Sequence, residues 1–185
     1  AVVLIRIGQE VHFTGGSLEA AIHRGVADGY KRGYLRASVV ADPIVRENTG
    51  DNTPAVIIWE MAQGDQVEII VAPKGFGSEN TSSLHMLSPS QGLEGIKRVI
   101  IDTVVQAGPN PCPPVVVGVG IGGTMDLAAS LAKRSLMRPV GFLSDKPHIR
   151  DLERELLDQI NETGIGPAGL GGRTTALAVH IETYA

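Results

Sequence analysis

Cysteine is almost missing: the 185 residues contain one, Cys112. That excludes a disulfide framework within the chain, and with nothing resembling a signal peptide it predicts a cytoplasmic, reducing location. Aromatic residues make up 4%, which disfavours a binding module built on aromatic anchors. No apolar stretch approaches the roughly 20 residues that span a bilayer; the apolar runs have strand length and are cut by Gly or Pro, so no membrane partner is expected. Basic residues do not cluster beyond pairs such as Lys133-Arg134, and the net charge is −4. The electrostatic footprint of a nucleic-acid binder is absent, which argues against that partner.

What is present is aliphatic and turn-rich: 43% hydrophobic residues, 23 Gly and 11 Pro. Such a chain packs with Val, Ile, Leu and Ala and keeps much of its backbone in shaped loops. The expected fold class is α/β, a mixed sheet with an antiparallel hairpin, flanked by about four helices, with residues 1–185 as a single lobe. The apolar run Ala1–Ile5 at the start and the strand-like pattern at Tyr184-Ala185 lead us to expect a fragment of a longer polypeptide.

Residues 1–8 read as a buried strand. Ser17 to Tyr34 read as a helix with Ser17 as N-cap and Leu18, Ile22, Val26 and Tyr30 on one stripe. Gly25, Gly29 and Gly33 repeat at intervals of four, which predicts close packing on that side. Residues 35–54 are polar and aperiodic, the pattern of a functional loop. Ala55–Met61 and Gln66–Ala72 read as the antiparallel hairpin. Further helices are predicted at 88–107, 124–137 and 148–161, and strands at 115–119, 140–143 and 174–183.

Four groups could carry chemistry. Cys112 lies in Gly108-Pro109-Asn110-Pro111-Cys112-Pro113-Pro114, where prolines fix φ and stiffen the loop, presenting a thiolate to a metal; the alternative is a small apolar Cys in an ordinary connection. Gly118, Gly120 and Gly123 follow a Val-rich strand and open a helix, with Asp145 near the ribose-binding offset. That fits an NAD(P)-binding turn, or glycines that simply let strand and helix approach. Lys74–Ser83 combines small residues with the donors Lys74, Ser78, Asn80, Thr81 and Ser82, suited to a dianionic substrate or to a turn capped by its own hydroxyls. Arg36 and Arg46 are candidates for carboxylate recognition. His12, His23, His85, His148 and His180 show no ligand spacing and read as structural or solvent-facing.

Six ordered segments carry a resemblance: Ser38–Pro43, Arg46–Pro54, Pro73–Asn80, Gly108–Pro114, Val117–Thr124 and Gly164–Leu177. Together they closely resemble the α subunit, or N-terminal domain, of the class I iron–sulfur fumarate hydratases, and L(+)-tartrate dehydratase α subunits look similar. The resemblance implies a four-iron four-sulfur cluster held by three cysteines, with Cys112 on the family's Asn-Pro-Cys-Pro-Pro ligand and the other two expected just outside residues 1 and 185. It implies reversible hydration of fumarate to L-malate. Arg36 and the backbone from Gly75 through Gly77 and Ser78 to Asn80 become the substrate-binding candidates. The base and further arginines are expected on a β subunit or C-terminal domain, in a homodimer or a dimer of αβ units. A fragment with one thiolate is expected to be inactive alone.

Overall fold

The computed structural model describes residues 1–185, which divide into two compact units, Ala1–Lys74 and Gly75–Ala185. The α/β expectation holds, with five α-helices and two sheets.

In the first unit, strand β1 (Val2–Gly8) lies at the centre of a three-stranded sheet between β2 (Val56–Ala62) and β3 (Val67–Ala72). β1 runs parallel to β2 and antiparallel to β3, with Arg6 opposite both Glu60 and Glu68. The expected hairpin is therefore corrected: β2 and β3 are antiparallel but do not pair, because β1 lies between them. Neighbouring strands stand about 4.8 Å apart, so the connection must cross about 10 Å, within reach of four residues. The end of β1 runs beneath that connection. Gly8 N–H donates to Gln66 O at 2.8 Å and Gln9 N–H to Ala62 O at 2.9 Å. A Cβ at Gly8 would stand 2.2 Å from Gly64 O, so only glycine fits the crossing.

Helix α1 (Leu18–Arg32) begins where Ser17 Oγ accepts from Ala20 N–H at 3.2 Å, satisfying one of the unpaired amides of the first turn. It sets Val26 and Tyr30 against Val3 and Ala55, with Ile22 and Ile57 at the margin. The glycine stripe does not behave as expected: a Cβ at Gly25 or Gly29 would meet open space. Those glycines lie off the face carrying Val26 and Tyr30, so no close approach requires them.

The second unit holds α2 (Phe76–Asn80), α3 (Gly92–Ala107), β4 (Val115–Ile121), α4 (Met125–Ser135), α5 (Pro147–Glu162) and β5 (Ala176–Thr183). β4 and β5 pair in parallel, with a register shift after Val115. α3 and α5 cover one face, where Ile100, Val104, Leu152, Leu156 and Ile160 pack on Val179 and Ile181. Alternation along β4 turns Val117, Val119 and Ile121 to this core and Gly118 and Gly120 to α4. A Cβ at Gly118 would lie 2.5 Å from Ala132 O, and one at Gly120 2.0 Å from Ala128 O. Their absent side chains let α4 settle directly on the sheet. No strand forms at 140–143; Phe142 N–H instead closes a turn on Pro139 O at 3.1 Å. No helix is long and apolar enough to cross a membrane.

Candidate functional site

Cys112 is exposed and has φ +58°, a left-handed conformation that costs a residue with a Cβ roughly 1–3 kcal/mol. Its N–H donates to Pro109 O at 2.9 Å, closing a tight turn around Asn110 and Pro111. Pro113 beside it is buried. The turn is wedged between two other glycine-bearing segments. On one side Gly77 approaches Asn110 so closely that a Cβ there would stand 2.6 Å from the Asn110 carbonyl oxygen. On the other, Ala168 N–H donates to Pro113 O at 2.7 Å, and a Cβ at Gly169 would lie 2.4 Å from Pro109 Cβ.

Three separated segments, 75–80, 108–114 and 164–172, thus meet at the turn that carries Cys112. The glycine-rich one is itself rigid. Gly171 N–H donates to Ile165 O at 2.8 Å, Gly166 N–H to Thr175 Oγ1 at 3.1 Å, and Asn161 Oδ1 accepts from the amides of Thr175 and Ala176 at 2.8 and 2.9 Å.

The predicted anion loop contains the short helix α2. Ser78 Oγ donates to Gly75 O at 2.9 Å, Thr81 Oγ1 to Gly77 O at 3.1 Å and Ser82 Oγ to Ser78 O at 3.1 Å. These hydroxyls cap their own turn, while Gly75, Gly77 and Asn80 stay exposed. Lys133 on α4 forms an ion pair with Glu79, tying α2 to the rest of the unit.

Arg36 belongs to the first unit and is exposed. The polar segment after it is highly ordered. Asn52 is 3% exposed and has φ +62°; its Oδ1 accepts from Ser38 N–H at 2.9 Å and Val39 N–H at 3.1 Å. Asn48 donates through Nδ2 to Ala37 O at 3.2 Å and accepts from Gly50 N–H at 2.7 Å. Asp42 accepts from the amides of Ile44 and Val45, both at 2.8 Å, and Arg46, with φ +65°, bends the loop back. Both Asp42 and Asp51 are held below the usual carboxylate range, Asp42 by the Val45 and Ile44 amides and Asp51 by the Thr53 hydroxyl and amide.

The dinucleotide alternative finds no support in this geometry. Gly118 and Gly120 lie inside β4 against α4, and Gly123 faces Leu127, so the three glycines serve packing. Asp145 follows a turn where that motif needs a strand. Of one polar cluster the sequence reading reached only His180, among the histidines read as structural or solvent-facing. Glu153, 1% exposed, accepts from Arg138 at 2.6 Å and from the amides of Ile181 and Ser144 at 2.8 and 3.0 Å. Arg138 also reaches Glu182 at 2.7 Å. His180, equally buried, places Nδ1 3.1 Å from Ser135 O. Its signal was a histidine and a glutamate at the end of an otherwise apolar strand.

As a metal mount the chain is one-cornered: an exposed, pre-oriented thiol suits one position, and no group of three His, Cys, Asp or Glu side chains is placed to hold a metal.

An α/β chain that gathers glycine-rich turns around a single presented thiol defines the class of this protein segment. The fumarate hydratase (Fumerase) family model matches residues 1–185, and the chain belongs to that family. It is 44% identical over 98% of its length to a Methanocaldococcus jannaschii protein named as an L(+)-tartrate dehydratase subunit alpha, covering 65% of that protein. It is 33% identical over 92% of its length to the L(+)-tartrate dehydratase subunits alpha of Escherichia coli K12 and Shigella sonnei, covering 57% of each. The chain therefore spans somewhat less than two thirds of the length of the curated relatives it matches.

Proposed function

We propose that these residues are part of the α subunit, or N-terminal catalytic domain, of an iron–sulfur hydro-lyase that adds water to, or removes it from, a four-carbon dicarboxylate. The observation that carries this reading is Cys112: an exposed thiol at φ +58°, braced from both sides by Gly77 and by Ala168 and Gly169. Buried structural cysteines are inert and need no such presentation. Cys112 would supply one thiolate of the cluster, and further ligands would come from chain beyond these 185 residues. When bound, a four-iron four-sulfur cluster with one open iron supplies Lewis acidity toward a substrate carboxylate or hydroxyl.

The chain's own residues bind and orient. Arg36 would engage one carboxylate through its guanidinium fork. In the second unit, the exposed backbone around Gly77 is a separate candidate for carboxylate binding, at the start of α2, where helix geometry leaves the first amides without intrahelical acceptors. The hydroxyl of Ser78 would act indirectly, by holding that turn, and Asn80 lies at its exposed end. The family model supports fumarate as substrate and the relatives' names support L(+)-tartrate equally. The relatives' naming as alpha subunits supports a β subunit as partner, with a C-terminal domain of the same polypeptide as the alternative, and a homodimer or a dimer of αβ units completes the reading. A lone exposed thiol suits a reducing cytoplasm.

The test compares wild type and Cys112→Ser in the full-length protein with its partner subunit, reconstituted with iron and sulfide. We expect the variant to lose bound iron, cluster absorbance and turnover of both fumarate and L(+)-tartrate. Retention of iron and activity by the variant would overturn the reading.

A further inference from the structure

We infer that Asn52 is a positioning residue that fixes the direction of Arg36. The inference rests on Arg36 being the carboxylate ligand proposed above. On its N-terminal side Arg36 is anchored by the end of α1: Gly33 N–H donates to Gly29 O at 2.9 Å and Leu35 N–H to Tyr30 O at 3.0 Å. On its C-terminal side the next three residues are held by the asparagines of the Asn48–Asn52 run. Asn48 takes the Ala37 carbonyl, and Asn52 Oδ1 takes the amides of Ser38 and Val39 together. Thr49 adds a third tie, its N–H donating to Val39 O at 3.0 Å.

The backbone that carries the guanidinium is therefore bracketed, while the side chain itself stays exposed. Of the clamping groups Asn52 is the buried one, at 3% exposure, and it occupies the left-handed region that asparagine tolerates better than most residues. Removing its side chain would strand two amides in a shielded position, and the segment after Arg36 would be freed to move. A guanidinium recognises a carboxylate through paired N–H groups in a fixed plane, so loss of direction weakens ligand binding without removing the charge. Placement errors of this kind also slow the chemistry that depends on them.

Asn52→Gly keeps the left-handed backbone and deletes the acceptor, whereas Asn52→Asp keeps the acceptor. In the full-length, reconstituted protein, two lost hydrogen bonds should raise KM for the turned-over dicarboxylate about tenfold, with a smaller change in kcat, in Asn52→Gly, and Asn52→Asp should stay within about twofold of wild type. Calorimetric binding of succinate, which cannot be hydrated, should weaken by the same factor. Adding Asn52→Gly to Arg36→Ala should produce no further rise in KM, because the residue acts through Arg36. Thermal unfolding of each variant separates loss of fold from loss of direction. Additive effects of the two substitutions, or equal losses in Asn52→Gly and Asn52→Asp, would overturn the inference and leave Arg36 as ligand. An unchanged KM in Arg36→Ala would remove the ligand assignment, and the inference with it.

Discussion

In residues 75–185 the strand face toward α3 and α5 is closed, with Leu156 and Ile160 at 0% exposure and Ile181 at 1%, whereas in residues 1–74 the face carrying Val3 and Ile57 stays open at Trp59, Met61, Ile69 and Val71. The second unit owes its order to apolar burial. In the first, the best-defined irregular segment, 36–54, is ordered by side chains bonding to backbone: Asp42, Asn48, Asp51 and Asn52 each accept at least one main-chain amide. The same family segment therefore builds one rigid element from packing and another from polar chemistry. Changes to the two should be felt through different observables.

The largest effect is expected from Leu156→Ala, which removes a fully buried side chain between α5 and β5 and should cost about 4 kcal/mol. Hydrogen exchange in the intact protein should show β4, β5 and α5 losing protection together. Met61→Ser, at a side chain 75% exposed, should stay within about 0.5 kcal/mol and leave β1 protected. Equal losses for both variants would break the comparison.

Glu153→Ala comes next. The carboxylate holds Arg138 and two amides from inside the second unit, and deleting it leaves a guanidinium and the Ile181 and Ser144 N–H groups short of an acceptor. A cost of about 3 kcal/mol follows, since breaking a buried pair from one side is worse than never forming it. The sharper comparison is Glu153→Gln, which removes the charge and keeps an oxygen acceptor. It should recover part of the loss at the Ile181 amide. Full retention of stability in the alanine variant would show that the network is dispensable and that apolar contacts alone hold β5.

Much of this architecture was legible because it is local. The stripes Ile22–Val26–Tyr30 and Ile149–Leu152–Leu156–Ile160 set two helices, Ser17 announced the start of α1, and the proline cluster marked Cys112 as the centre of a shaped loop. The order of strands in the first sheet was not legible. β1 is separated from β2 by about 50 residues of sequence, and a four-residue Gly-containing connection looks the same whether it closes a hairpin or crosses a third strand. Gly8 was the physical clue, since it makes room for Gly64. The turn motif of Gly118 to Gly123 left two readings open in a related way, because the same spacing serves phosphate approach and helix packing. Which of the two holds is set by Ala128 and Ala132 on α4, whose position no spacing rule encodes. At the site, the meeting of Gly77, Cys112 and Gly169 depends on three turns folding together, although each motif was visible singly.

The gentlest perturbation, acid, should distinguish the two units by the order in which they respond. His180 is held below its ordinary value of 6.5, first by burial and then by the Arg138 guanidinium, with Glu153, the Ser135 carbonyl and Glu182 pulling the other way. Its Nε2 is buried without a partner. The unfolded chain therefore takes the proton first, so the stabilising contribution is complete above pH 6.5 and is lost as pH falls below that value toward the folded one. Asp42 and Asp51 are shifted down from 3.8 by amides and a hydroxyl, so their contribution is complete above pH 3.8 and is lost only below it. Hydrogen exchange followed from neutral to acid should show β5 and α4 loosening first and the 36–54 loop later. His180→Leu should flatten the first response, and Asp42→Asn, which keeps an acceptor for Ile44 and Val45, should flatten part of the second. If the loop loosened before β5, or if His180→Leu kept the wild-type acid response, the contrast between a unit ordered by burial and a loop ordered by polar side chains would fail at the groups that define it.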